Sequence, residues 1–348
     1  MRPRIALLPA VLRSNLQAWQ AFCGVPVRAV VKADGYGWGA EQIAGAIDDL
    51  VAAYCVADAD EFRALRPHTL RPIILLNDVN ASYLEEILDA GGVPNVSAHH
   101  DVEIVEAWTN KRGRRPLVRV GVAAAVGWSG IRAADGRAFA AAVARRTMDV
   151  ELWTHPTDAG LAGEQIAALF EVRDRFREAG AAVRAIEYRS TASLSWAADQ
   201  PIGDSVRIGI GLFGASLALG PVPVPELRCA LEVHAPVVRR IVTDVSMPVG
   251  YGTQRVDAGE RLLTVRCGYA DGYPRTLAQK GKVLAVGMQY TTCFAEDNDR
   301  VDAVALIDAA TDLDALSADA MLLPHELVAR LGAHRSSPHS LMELHDRA

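Results

Sequence analysis

The chain has 348 residues, half of them hydrophobic, with 36 Lys and Arg against 42 Asp and Glu for a formal net charge of −6. This length and apolar content suit a large globular unit plus a smaller one, and the mild acidic balance, with no basic block or stripe, excludes an electrostatic footprint for nucleic acid. Cys23, Cys55, Cys229, Cys267 and Cys293 stand far apart and form no C-x-x-C pair, so neither a disulfide framework nor a metal site is expected and a cytoplasmic setting fits. With no run reaching about 18 uninterrupted apolar residues, neither a signal peptide nor a membrane span is read.

Short apolar or β-branched runs recur at Val27 to Val31, Ala52 to Val56, Ile73 to Leu76, Val93 to Val96, Leu117 to Val120, Val150 to Thr154, Val183 to Tyr188 and Val206 to Ile210, which reads as eight strands. Between most of them lie Ala-, Leu-, Glu- and Arg-rich stretches of helical spacing, such as Ala40 to Leu50, Asp58 to Leu65, Ala81 to Ala90 and Glu164 to Ala179. The alternation predicts an α/β protein with an N-terminal (β/α)8 barrel over residues 1–222, its active-site residues at the C-terminal strand ends. After Gly220 the texture changes to Pro-rich chain and then to runs at Val233 to Val242, Leu262 to Arg266 and Lys282 to Val286, separated by Gly and Asp turns. Residues 223–348 are therefore read as a mostly β domain with a short helical tail. The acidic Glu296-Asp297-Asn298-Asp299 lacks the glycine and spacing of a calcium loop, and the tail beyond Asp308 carries no interpretable motif.

Lys32 is the residue with the most chemistry. It ends the first apolar run and opens the loop Ala33-Asp34-Gly35-Tyr36-Gly37-Trp38-Gly39. An amine held there is expected to be partly desolvated, which lowers its pKa and lets it attack a carbonyl cofactor. Position alone leaves open a strand-end lysine pointing into water. At the other predicted strand ends stand His155, then Ser190 and Thr191, then Arg207, Gly209 and Ile210. Loops after strands seven and eight of a barrel commonly hold phosphate through backbone N–H groups and small hydroxyls, which suits Thr191, Gly209 and Ile210. Taken singly, Thr191 reads equally as a helix cap and Gly209 as a bend.

These residues fall within segments that resemble the alanine racemase family. Val30 to Gly37 is similar to its lysine motif, and Gly268-Tyr269-Ala270-Asp271-Gly272-Tyr273-Pro274-Arg275 to its second catalytic motif. Val206 to Gly214 resembles the arginine and phosphate-loop segment, Val249 to Thr253 the start of the β domain, and Thr154-His155 the threonine-histidine pair. The resemblance implies a pyridoxal 5′-phosphate enzyme with Lys32 bonded to the cofactor, and Tyr36, Thr191, Gly209 and Ile210 around its phosphate. It also implies Arg207 facing the pyridine nitrogen. An arginine is not deprotonated, so it leaves that nitrogen unprotonated, weakens the ring as an electron sink and favours simple proton removal and return at Cα. Tyr269 would act from the face opposite Lys32, with His155 polarising the phenol, in a homodimer whose sites are shared. A structural histidine and an ordinary aromatic in a Gly/Asp turn are the plainer alternatives for the last two.

Several departures fall on the substrate side. The family's glycine-arginine-x-glycine element reads Gly127-Trp128-Ser129-Gly130, so a tryptophan replaces its arginine, and the family's fifth-strand lysine reads Arg119. Arg119 is either a relocated cation for the substrate carboxylate or a structural strand residue. The cysteine-methionine-aspartate stretch reads Cys293-Phe294-Ala295, the residues before the phosphate-binding serine read Glu187-Tyr188-Arg189, and the C-terminal tyrosine that helps hold the phosphate is missing. Losing a buried cationic partner weakens carboxylate binding by about 2 to 5 kcal/mol, so a racemase or epimerase of a substrate other than, or besides, alanine is expected, with Arg119, Trp128 and Phe294 lining its pocket. Alternatives are decarboxylation or retro-aldol cleavage on the same scaffold, and a non-catalytic pyridoxal phosphate carrier. The glycine spacing after Lys32 does not match a dinucleotide fingerprint.

Overall fold

The computed structural model describes residues 2–122, 129–196, 201–218, 223–250, 254–295 and 301–336. The chain opens with β1 (Arg4–Leu7) and α1 (Pro9–Cys23), then runs through β2 (Val27–Val30), the short α2 (Lys32–Tyr36), α3 (Ala40–Ile47), β3 (Ala53–Val56) and α4 (Ala59–Leu65). The alternation continues with β4 (Ile73–Asp78), α5 (Ala81–Asp89), β5 (Gly92–Asn95), α6 (His99–Arg112), β6 (Leu117–Gly121), α7 (Gly136–Ala144), β7 (Asp149–Trp153) and α8 (Ala162–Glu178). It closes with β8 (Val183–Glu187), β9 (Arg189–Ser190), α9 (Thr191–Trp196) and β10 (Val206–Ile208).

Neighbouring strands pair in parallel in the order β8-β7-β6-β5-β4-β3-β2-β10-β9. The two ends of that order, β8 and β9, are one stretch of chain divided only at Tyr188, whose hydroxyl donates to the Pro201 carbonyl at 2.6 Å. The sheet therefore wraps into a nearly closed barrel, and the eight expected runs appear as nine hydrogen-bonded pieces because Tyr188 interrupts one of them. Helices cover its outside for the usual reason: in α1, Leu12, Leu16, Trp19 and Cys23 recur at helical spacing and are buried.

Charge, not only hydrocarbon, fills the barrel interior. Arg28 on β2 pairs with Glu151 on β7, and these strands are not neighbours, so the pair spans the lumen. Arg119 on β6, Glu187 on β8 and Arg207 on β10 join the same network, while Val30, Ala53, Cys55, Ile74 and Val93 form a separate apolar cluster on β2 to β5.

The second sheet is antiparallel. It contains β11 (Leu231–Val242), β14 (Arg261–Val265), β15 (Val283–Val286), β16 (Thr291–Phe294) and β17 (Ala303–Ile307), with β12 (Met247–Pro248) and β13 (Arg255–Val256) forming a separate ribbon. β1 also belongs to it, pairing Arg4 to Leu7 against His234 to Leu231 of β11. The chain thus begins in the second sheet before entering the barrel at α1. Two helices follow, α10 (Leu313–Ala320) and α11 (Pro324–Gly332). No described helix is long and apolar enough to cross a membrane.

The tail does not trail away from the barrel. α11 lies on the loop after β2: the Trp38 indole donates to the Val328 carbonyl at 2.9 Å, and Arg335 donates to the Gly37 carbonyl. A Cβ on Gly332 would stand 2.7 Å from the Tyr36 carbonyl oxygen, so only glycine permits this approach.

Candidate active site

Lys32 leads into a left-handed turn. Ala33, Asp34, Gly35 and Tyr36 have φ of 55°, 51°, 63° and 57°, a conformation that costs about 1–2 kcal/mol for each residue with a Cβ. Fixed hydrogen bonds offset that strain. The Gly35 amide donates to the Val31 carbonyl at 2.8 Å, the Ala33 amide to the Glu61 carboxylate at 2.7 Å, and the Ala40 amide to Asp34 at 2.9 Å. The expectation of a partly desolvated amine is corrected: the Lys32 side chain is exposed, because the strand ends at Val30 and the turn lifts the lysine out into the mouth.

The same turn drops Tyr36 into the protein. Its ring packs edge-on against Phe213 at 5.5 Å between centroids, and burial pushes the phenol pKa up, so the hydroxyl stays a donor. Gly209 follows β10 and passes directly under that hydroxyl; a Cβ there would overlap the Tyr36 oxygen and crowd Val30 at 3.2 Å. Ile210 is buried in the next turn. Thr191, at the start of α9, is buried, and its Oγ1 has no hydrogen-bond partner among the described residues.

Arg207 sits below this cradle. Its Nη1 donates to Glu187, its Nη2 donates to the Thr154 carbonyl at 3.0 Å, and the same Nη2 lies 3.2 Å from Nδ1 of His155. Burial raises the Glu187 pKa, but the guanidiniums of Arg119, Arg207 and Arg28 outweigh it, and the carboxyl ends below its usual range. For His155, lost hydration, then Arg207, then Lys32 pull the pKa down. The ring is nevertheless open to the mouth, which argues for a smaller depression than full enclosure would cause. Lys32 and His155 are therefore electrostatic neighbours on one side of Arg207.

Arg119 has no exposed surface, and its guanidinium lies between Glu151 at 2.8 Å and Glu187 at 2.6 Å. That geometry favours the structural alternative for this residue over a free cation for substrate. Its guanidinium and that of Arg207 lie 4.8 Å and 5.0 Å from the Trp153 ring centroid. Trp153 in turn donates to Asn95 at 2.7 Å, and Asn95 donates to Ser129 at 2.8 Å and to Asp78. Trp128 lies outside the described residues.

Phe294 packs with Ile241, Met247 and Ala285 against the small apolar cluster of the second sheet, away from Lys32. Tyr269 starts a short 3-10 turn anchored by its amide to the Gly287 carbonyl at 3.0 Å and by the Arg266–Asp271 pair at 2.7 Å. Among the described residues, no hydrogen bond, ion pair or ring contact joins Tyr269 to Lys32, His155 or Arg207. One chain therefore assembles Lys32, Tyr36, His155, Thr191, Arg207, Gly209 and Ile210, but not Tyr269 or Phe294.

One residue near the site gave no signal in the sequence. His325, on α11, lies 5.9 Å from Tyr36 between ring centroids and feels the charge of Lys32. A lone histidine after Pro324 in a tail without a motif offered nothing to mark it.

The comparisons with known proteins agree with this fold. The family description "Alanine racemase, N-terminal domain" matches residues 9–217 and "Alanine racemase, C-terminal domain" matches residues 230–336. An alanine racemase of Acidiphilium cryptum is 29% identical, covering 95% of this chain and 96% of that protein. The solved biosynthetic alanine racemase of Pseudomonas aeruginosa superposes with a TM-score of 0.79 at 23% identity, covering 96% of this chain and 98% of that one. The alanine racemase of Bartonella henselae, solved with covalently bound pyridoxal phosphate, gives 0.77 at 22% identity over 97% and 99% of the two chains. With both halves matched in order and across most of its length, this chain belongs to the alanine racemase family.

Proposed function

We propose that this protein is a pyridoxal 5′-phosphate-dependent amino-acid racemase or epimerase, acting as a homodimer on a substrate other than, or besides, alanine. The observation that carries the reading is the placement of Lys32 beside His155 and Arg207 at the barrel mouth, next to a cradle that fits a phosphate ester. The fit rests on three features: a buried Thr191 hydroxyl without a partner among the described residues, the Tyr36 hydroxyl, and a Gly209 whose missing side chain lets that hydroxyl lie against the backbone. Lys32 would hold the cofactor's aldehyde end, and Tyr36, Thr191, Gly209 and Ile210 its phosphate.

The cofactor, when bound, supplies a conjugated ring that spreads negative charge from a substrate Cα. Arg207 keeps its proton, so an acceptor it meets is hydrogen-bonded and not protonated. Lys32 takes or returns a proton at Cα on one face, and Tyr269 of the partner subunit does so on the other, which inverts the centre. Neutral His155 accepts from Arg207 and sets the local field without adding a cation. Arg119, held between two carboxylates, is not free to stand in for the arginine that Trp128 replaces, which supports a substrate other than, or besides, alanine. The same confinement favours decarboxylation as the second reading, since a loosely held carboxylate is the group that leaves.

An absorbance spectrum is the first test: a yellow band on addition of pyridoxal phosphate, lost on borohydride treatment and absent in Lys32→Ala, is expected. A colourless protein would overturn the reading. A screen of free amino acids in D₂O then separates the reactions, because deuterium at Cα with loss of optical rotation marks a racemase, and carbon dioxide release without exchange marks a decarboxylase.

A further inference from the structure

We propose that His325 of the C-terminal helix α11 is a direct ligand of the cofactor's phosphate, so that the tail of the second domain completes a cradle begun by the barrel; this rests on the functional reading above. The ring of His325 is half-buried and lies beside Tyr36, whose hydroxyl meets Gly209. Neither imidazole nitrogen has a hydrogen-bond partner among the described residues. Among the described residues, the ammonium of Lys32 is the charged group that acts on it, and no carboxylate does. Burial and then Lys32 pull its pKa down, so the ring stands neutral with one N–H to donate.

The local inventory is therefore one-sided. Tyr36 and His325 each have a hydrogen to donate, and among the described residues the buried Thr191 hydroxyl has no partner and no carboxylate pairs with Lys32. Two hydroxyls and an imidazole N–H can all donate here, and an acceptor-only anion such as a phosphate monoester offers three oxygens to them. Position is also secured, because α11 is tied to the Lys32 turn through Trp38 and Val328, through Arg335 and Gly37, and through the close approach of Gly332 to Tyr36. His325 cannot drift without breaking those contacts.

The test compares pyridoxal phosphate with pyridoxal, which lacks the phosphate, by absorbance titration of the full-length wild type, His325→Phe and His325→Gln. The phenylalanine variant should bind pyridoxal phosphate about tenfold more weakly and pyridoxal within about twofold of wild type, while glutamine, which keeps an N–H donor, should recover most of the loss. Equal affinity of all three proteins for pyridoxal phosphate would overturn the inference alone, as would an equal loss for both ligands. A wild type that binds neither ligand would overturn the functional reading with it. Should the phenylalanine variant fail to fold, His325→Ala takes its place in the same comparison.

Discussion

Arg207 and His155 are bonded side chain to side chain, Nη2 to Nδ1 at 3.2 Å. A guanidinium only donates, so Nδ1 must accept and the imidazole proton resides on Nε2. The histidine is thereby held neutral by Arg207.

That pairing predicts an acid sensitivity with a definite sign. An unfolded histidine takes up a proton near 6.5, whereas folded His155 resists it until lower pH, so the unfolded state binds more protons as the pH drops below 6.5 and stability falls. His155→Asn should flatten the dependence of Tm on pH between 6.5 and 5 relative to wild type. Parallel curves for the two proteins would contradict this.

Glu187 neutralises three guanidiniums in the lumen, those of Arg28, Arg119 and Arg207. Its removal leaves them with Glu151 as the remaining carboxylate of the network. Glu187→Gln should cost about 3–5 kcal/mol in urea unfolding, the usual penalty for leaving buried charge uncompensated. A loss below about 1 kcal/mol would mean that water enters the barrel and screens the cluster.

Gly209 and Tyr36 share one space, which makes their substitutions non-additive. Gly209→Ala forces a methyl against the Tyr36 hydroxyl and should destabilise by about 1–3 kcal/mol. In a Tyr36→Phe background the penalty should shrink by at least about 0.5 kcal/mol, since the overlapping oxygen is gone. The double-mutant cycle by urea unfolding reads the difference; strict additivity would place the methyl elsewhere.

Tyr269 touches none of the Lys32 set within its own chain, and a shared site makes a complementation prediction. Lys32→Ala and Tyr269→Phe should each abolish racemisation, and refolding them together should restore about a quarter of wild-type activity, because half the dimers are mixed and each holds one intact site. No recovery on mixing would show that both residues serve one subunit.

Much of the fold was legible in the residues. The runs from Val27 to Ile210 became barrel strands within a residue or two at most ends, since strands buried on both faces must be apolar and the helices between them amphipathic. Lys32, His155, Thr191, Gly209 and Ile210 each follow or end such a strand, and Arg207 lies within the last one, so barrel geometry alone predicts that they share a mouth.

Contacts between distant segments carry no such local signal. That β1 pairs with β11 and not with the barrel, that Lys32 is exposed, that Arg119 is confined by Glu151 and Glu187, and that His325 returns from the tail to Tyr36 all depend on residues brought together across the fold. The sequence by itself determined the alternation of strand and helix and the residues at the strand ends, because periodicity and chain order suffice for both. Only the tertiary structure decided which charges neutralise one another in the lumen and which side chain of the second domain reaches the cradle, because pairing energies depend on distance in space and not along the chain.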